Sequence, residues 1–291
     1  MNKDFSKLRR NFSIIFDGGL RIWHGQVPYR DFYISTGPVI YYLQGFFNSL
    51  FGPSRTAMLA HASVINTVAL ILFYRHTRKN TGALICICLT ILLHFFFYAR
   101  LVNPWYDQTA LLFFLVAQIT LLTYIDKSES IPFRYVTLIA LMCFLSIFSR
   151  QDAGPLGSVF IMFQMLFFSQ RRNLETGLFL LILTLLLFAT VSIFSSVSEF
   201  SYWFNYGQHP HSSRLGRIPE KLLSNSWLLQ DFRLHAVIFS IMLFLIMKDY
   251  GRVAAKNLFY VLGFCVYSIV ISATSGQGKY SSLFFIPLIA L

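Results

Sequence analysis

The chain has 291 residues, of which 56% are hydrophobic, 18% are aromatic and only 12% are charged. This apolar content exceeds what one soluble core can bury, so it excludes an ordinary water-soluble domain and indicates a protein of the lipid bilayer. The net charge of +12 does not indicate nucleic-acid binding, because the excess Lys and Arg residues lie largely in short connections between apolar segments. All four cysteines lie within apolar segments and predict neither a zinc site nor a disulfide framework.

The first segment in chain order is an aromatic head at residues 1–54. It is rich in Tyr, Phe and Trp but has no uninterrupted apolar stretch long enough for a membrane span before Asp17. We expect short helices or loops that lie at the extracytoplasmic membrane interface and contact membrane lipids. Gly52-Pro53-Ser54 ends the head, and Ser54 is a candidate N-cap of the first span.

Residues 55–291 alternate between apolar segments and short polar connections, which predicts an all-α, polytopic membrane domain. We expect about eight full transmembrane helices and one partial helix, because each span needs roughly 20 mostly apolar residues. They lie at about 56–74, 82–99, 108–125, 135–149, 154–169, 178–197, 234–247, 258–273 and from 281. The one long connection, at about 198–233, mixes aromatic and basic residues and predicts a partly structured extracytoplasmic cap.

The distribution of basic residues predicts the orientation of these spans. Positive charge is concentrated in the connections after the first, third, fifth and seventh spans, as in Arg75 to Lys79 and Lys248 to Lys256. Loops rich in Lys and Arg remain in the cytoplasm, so the head and the opposite ends of the spans are expected outside.

The predicted outer face gathers ionisable residues at the membrane boundary, where unsatisfied charge is costly and therefore often functional. The acids, which can act as a general base or hold a metal ion, are Asp17, Asp31 and Asp107. The candidates for substrate binding are cations, which suit a phosphate, and two tyrosines that each lie next to one of these cations in the sequence. They are Tyr29, Arg30, Arg100, Arg150, Lys279 and Tyr280. Such a set suits transfer from a lipid phosphate at a lipid–water boundary.

Each candidate also has a purely structural explanation. The adjacent Arg30 and Asp31 can form a local ion pair that fixes a turn. Asp17 precedes two glycines and can be a turn or capping residue. Asp107 suits the first turn of a helix, and the cations at span ends can simply extend to the lipid headgroups.

Three linked patterns in the head are similar to a known family. Gly25-Gln-Val-Pro-Tyr-Arg-Asp-Phe32 is followed by Thr36-Gly37-Pro38-Val-Ile-Tyr-Tyr42 and by Leu50-Phe51-Gly52-Pro53-Ser54. In this order they resemble the first large outside loop of GT-C-type membrane glycosyltransferases, which are related to protein O-mannosyltransferases and aminoarabinose transferases. Asn103-Pro-Trp-Tyr-Asp107 and Ser149-Arg-Gln-Asp-Ala-Gly154 resemble later landmarks more weakly.

The resemblance implies a polyprenyl-phosphate-linked sugar donor and an acceptor hydroxyl on a glycan, a lipid or a protein. It implies inverting transfer, in which a carboxylate deprotonates the acceptor hydroxyl and the polyprenyl phosphate leaves from the anomeric carbon. Cations or a divalent metal ion offset the phosphate charge. The implied location is a bacterial cytoplasmic membrane, with the site facing outside.

Two departures from the family pattern leave alternatives open. Members usually begin with a membrane helix whose outer end supplies an acid, and no such apolar segment precedes Gly25. The last residues stop within an apolar segment, so the sequence predicts a chain truncated at both ends. The alternatives are an inactive truncated homologue, or a transporter or lipid-handling protein whose outer charges line a pathway.

Overall fold

The computed structural model describes residues 14–34, 36–79, 82–94, 104–151 and 153–191. The regular structure within these ranges is helical, which confirms the all-α prediction for this part of the chain. The helices are α1 (14–23), α2 (Val39–Phe51), α3 (Arg55–Thr77), α4 (Ala83–Leu93), α5 (Tyr106–Asp126), α6 (Phe133–Ser149), α7 (Ala153–Phe168) and α8 (Arg172–Val191).

Three of these helices are long and apolar enough to cross a membrane. They are α3, with 23 residues, α5, with 21, and the 19 residues Arg172–Thr190 of α8. The apolar helices α6 and α7 are shorter, at 17 and 16 residues. The prediction of a multi-pass membrane protein is therefore supported. The predicted cap at 198–233 and the predicted spans from 234 onward lie outside the described residues.

The described residues fall into two compact units. The first contains residues 14–72 and 104–191, and the second contains residues 73–94. In the second unit, the Cys86 thiol lies 3.4 Å from the backbone carbonyl oxygen of Tyr74, to which it donates a hydrogen bond.

Helix α6 is central to the first unit, where it contacts α2, α5, α7 and α8. Small side chains and glycine bring these helices close together, as membrane packing requires. A Cβ atom at Gly157 of α7 would lie 2.7 Å from the Phe114 ring of α5, so this contact depends on glycine. Between the same two helices, Gln118 and Gln164 exchange two amide hydrogen bonds of 2.7 and 3.0 Å, and both side chains are fully buried.

The head packs through the buried face of α2. Gly19 of α1 lies against the side chain of Gln44, and the imidazole Nδ1 of His61 on α3 lies 2.9 Å from the Gln44 Oε1 atom. The His61 ring also stacks on Phe47 of α2. These contacts fix α2 between α1 and α3.

The opposite face of α2 is exposed and apolar, and it carries Tyr42, Phe46, Leu50 and Phe51. The 13 residues of α2 are too few to cross the hydrocarbon core, so an interfacial position suits this helix. The extracytoplasmic placement of the head stays a prediction.

Candidate functional site

The loop between α1 and α2 carries the first of the sequence patterns, and Asp31 organises it. The Asp31 Oδ2 atom accepts a 2.7 Å hydrogen bond from the Val27 backbone N–H, and the Asp31 N–H returns a 2.9 Å bond to the Val27 carbonyl. The neighbouring guanidinium of Arg30 donates to both carboxylate oxygens, at 3.0 and 2.9 Å. The predicted local ion pair is therefore present.

The charge state of Asp31 follows from these contacts. The hydrogen bond from Arg30, followed by the backbone bond from Val27, lowers the pKa of the Asp31 carboxyl below its ordinary value. The same carboxylate raises the pKa of Arg30 through its hydrogen bond. The Asp31 side chain is 31% exposed and that of Arg30 is 64% exposed. The pair therefore presents an ionised carboxylate and a guanidinium that a ligand can reach.

Tyr29 supports the loop from inside. It is 1% exposed and has a φ of 67°, a left-handed backbone conformation that is strained for a bulky residue. Its hydroxyl donates a 3.1 Å hydrogen bond to the carbonyl of Thr36. Burial raises the pKa of Tyr29, so the phenol stays neutral and remains a donor. The Thr36 side chain also lies 2.6 Å from the Tyr41 hydroxyl, and burial raises the pKa of Tyr41 to about 12.

The far end of this loop rests directly on the end of α6. A Cβ atom at Gly37 would collide with the backbone of Phe148 and Ser149, so only glycine allows this approach. The next residue after Ser149 is Arg150, the C-cap of α6. The loop and the end of α6 therefore form one surface.

At this end of the bundle, a buried ion pair joins α5 to α6. Arg150 donates through Nη1 to Oδ1 of Asp107, which lies in the first turn of α5. Their side chains are only 2% and 9% exposed, so Arg150 does not extend to lipid headgroups. The Arg150 guanidinium also lies 5.7 Å from the centre of the Tyr106 ring. Both charged residues are candidates from the sequence, and the structure brings them together.

Two further residues at the start of α5 were not predicted from the sequence. Gln108 is 1% exposed and neither amide atom, Oε1 nor Nε2, has a hydrogen-bond partner; Trp105 is 4% exposed and its indole Nε1–H is likewise unpaired in the described structure. The Trp105 ring stacks on Tyr106, with 4.8 Å between the ring centres. Unpaired buried polar groups are uncommon and cost about 1–3 kcal/mol each, so they call for a physical explanation.

The third candidate acid, Asp17, lies on α1. Asp17 pairs with Arg21 one turn further along α1, at 2.9 Å, and both side chains are exposed. The Arg21 guanidinium in turn lies over the Phe32 ring, 5.5 Å from its centre. This pair ties α1 to the loop at the surface.

The remaining predicted substrate-binding residues, Arg100, Lys279 and Tyr280, lie outside the described residues. Among the residues that are described, no group of three or more His, Cys, Asp or Glu side chains is placed to hold a metal ion. Each of the three candidate acids is paired with an arginine.

Comparison with known proteins gives one match. Residues 35–194, more than half of the chain, match the family model described as dolichyl-phosphate-mannose-protein mannosyltransferase. The matched region includes the end of the loop, α2 to α8, and the Asp107–Arg150 pair. No curated protein and no solved structure matches the chain.

Proposed function

Because the chain belongs to the dolichyl-phosphate-mannose-protein mannosyltransferase family of GT-C-type membrane glycosyltransferases, we propose that it transfers a sugar from a polyprenyl-phosphate donor to an acceptor hydroxyl. The acceptor is a hydroxyl of a glycan, a lipid or a protein. Transfer takes place on the extracytoplasmic side and inverts the anomeric centre.

The observation that carries this proposal is the junction of the loop with the end of α6. Gly37 seats the loop against Phe148 and Ser149, beside the buried Asp107–Arg150 pair. An accessible carboxylate and an accessible guanidinium, on Asp31 and Arg30, lie on this same loop. A general base and a phosphate-binding cation are the groups that the reaction requires.

In the proposed reaction, Asp31 accepts the proton of the acceptor hydroxyl. The acceptor oxygen forms a bond to the anomeric carbon while the bond from that carbon to the phosphate oxygen breaks. The polyprenyl phosphate leaves with the electron pair, and Arg30 stabilises its charge. The lowered pKa of the Asp31 carboxyl keeps it ionised and therefore able to accept this proton.

The other charged residues have supporting roles in this proposal. The Asp107–Arg150 pair holds the start of α5 against the end of α6, beside the loop. Asp17 is the less favoured base because it belongs to α1, whereas Asp31 lies on the loop that Gly37 seats against the end of α6. Arg100, Lys279 and Tyr280 stay proposed substrate-binding residues. We assign no step to a metal ion, because the described acids do not form a ligand set.

Asparagine in place of Asp31 tests the proposal. We expect Asp31→Asn to lower kcat for transfer from a polyprenyl-phosphate sugar by about a hundredfold or more, the usual contribution of a general base. Transfer is measured with labelled donor on protein reconstituted in lipid nanodiscs. Wild-type activity should persist as the pH falls to about 4, the ordinary pKa of an aspartate, because the carboxyl of folded Asp31 titrates below this value.

The matched control is Asp126→Asn, which makes the same change in an exposed acid at the opposite end of α5 and should transfer sugar like the wild type. Undiminished transfer by Asp31→Asn would remove Asp31 from the mechanism. Wild-type protein that transfers no sugar from any polyprenyl-phosphate donor would overturn the proposed function itself.

A further inference from the structure

The start of α5 holds hydrogen-bonding groups that no protein group satisfies in the described structure. Trp105 occupies the N-cap position and Gln108 follows three residues later, so the two lie on neighbouring positions of the first turn. The Trp105 indole N–H and both polar atoms of the Gln108 amide are buried and unpaired. Buried polar groups are almost always satisfied by protein, water or a ligand.

The chemistry of these groups distinguishes between kinds of ligand. A phosphate oxygen only accepts hydrogen bonds, so it can pair with the indole N–H and the amide N–H but leaves Gln108 Oε1 unsatisfied. A hydroxyl both donates and accepts, and two neighbouring hydroxyls can pair with both atoms of one carboxamide. A metal cation is disfavoured, because Asp107, the carboxylate between Trp105 and Gln108 in the sequence, is already engaged by Arg150. The unpaired set therefore suits a molecule with adjacent hydroxyl groups.

The position of these groups, close to the candidate site, suggests the transferred sugar as their ligand. Asp107 lies between them in the sequence and pairs with Arg150, which follows the part of α6 against which Gly37 rests. We propose that Trp105 and Gln108 bind hydroxyl groups of the sugar on the polyprenyl-phosphate donor, an inference that rests on the proposed function. The amide of Gln108 binds two neighbouring hydroxyls and the indole of Trp105 binds a further oxygen, so the two residues determine which sugar is accepted.

Single-deoxy donors test this inference. The full chain in nanodiscs is given a panel of polyprenyl-phosphate hexoses and pentoses, their single-deoxy analogues, and polyprenyl phosphate without sugar, and KM and kcat are measured with binding. For wild-type protein, we expect loss of a recognised hydroxyl to raise KM about tenfold, the effect of one hydrogen bond made by a buried group.

The variant Gln108→Met keeps the length of the side chain but removes both polar atoms. It should bind the parent donor no more tightly than wild-type protein binds the deoxy donor, because both hydrogen bonds of the amide are lost, and it should no longer distinguish the two donors. Trp105→Phe should lose discrimination at a different hydroxyl. A purely structural role would not change this ratio between donors, because it would weaken both alike.

Gln118→Met is the matched control, since Gln118 is also a buried glutamine of α5 but pairs with Gln164. We expect it to keep the wild-type ratio between parent and deoxy donors. If both Gln108→Met and Trp105→Phe keep the wild-type ratio between parent and deoxy donors, the inference is overturned, whether or not the variants lose thermal stability. Transfer by wild-type protein would still uphold the proposed function in that case. Failure of wild-type protein to bind or use any donor would overturn both.

Discussion

At the scale of single residues, the two charge pairs at the candidate site differ in their exposure. Arg30 and Asp31 are neighbours on an accessible loop, whereas Asp107 and Arg150 are 43 residues apart and buried between helices. An exposed pair can exchange its partners for a ligand at little cost. A buried pair cannot, because either charge left alone would lie in a medium that solvates it poorly. This contrast favours the proposal that the loop residues carry the chemistry and that the buried pair supports the helix ends.

The buried pair makes a prediction about stability. Asp107→Asn removes the carboxylate charge that pairs with the buried Arg150 guanidinium, so we expect the free energy of unfolding to fall by about 3–5 kcal/mol. The double variant Asp107→Leu, Arg150→Met removes both charges and should recover much of this loss. Denaturant titration in detergent micelles measures the difference.

Asp17→Asn is the control for this measurement, because it breaks the exposed Asp17–Arg21 pair and should cost about 0.5 kcal/mol or less. A loss of only about 0.5 kcal/mol for Asp107→Asn would contradict the structural role of the buried pair.

The residues of the site were predictable to different degrees from the sequence. The Arg30–Asp31 pair follows from adjacency, and both members were expected to interact. The charges of Asp107 and Arg150 indicated function, but their pairing depends on the packing of α5 on α6. Gln108 and Trp105 carry no sequence signal of this kind, since only the folded structure determines whether a buried amide or indole finds a partner.

At the scale of helices, the apolar segments predicted α3, α5, α6 and α7 to within a few residues. Ser54 caps α3 as expected, with its Oγ atom accepting a 3.2 Å bond from the Ala57 N–H. The largest difference is in α8, which was predicted to begin near 178 but begins at Arg172. Its first turn is polar, and the Glu175 carboxylate accepts a 2.7 Å bond from the Ile131 N–H. Apolar periodicity cannot detect a helical turn that is stabilised by such a distant contact.

The glutamine pair between α5 and α7 makes a prediction at this scale. Gln118→Leu leaves the buried amide of Gln164 without its two hydrogen bonds, so we expect a loss of about 1–2 kcal/mol of unfolding free energy. Gln164→Leu should cost a similar amount. The double variant should cost less than the sum of the two, because no amide then remains unpaired. Additive losses in this double-mutant cycle would show that the pair does not contribute as a unit.

At the scale of the whole molecule, helix direction separates the candidate site from the basic residues that follow α7. Helix α7 begins beside the end of α6, where the backbone at Gly154 lies against Ile147. Its 16 residues span about 24 Å at the helical rise of 1.5 Å per residue, and the exposed Arg171 and Arg172 follow at its far end. Loops rich in basic residues tend to remain in the cytoplasm, so this geometry favours the proposed extracytoplasmic position of the site.

Cysteine labelling tests this orientation. In a background where the native cysteines are replaced, Tyr33→Cys introduces a thiol at a 60% exposed position of the loop, and Arg171→Cys introduces one at the exposed end beyond α7. We expect a membrane-impermeant maleimide to label position 33 in intact cells and position 171 only after permeabilisation. Labelling at position 171 in intact cells, with position 33 protected, would invert the topology. The polyprenyl-phosphate sugar would then have to be supplied from the cytoplasmic leaflet, and the loop that carries Arg30 and Asp31 would face the cytoplasm.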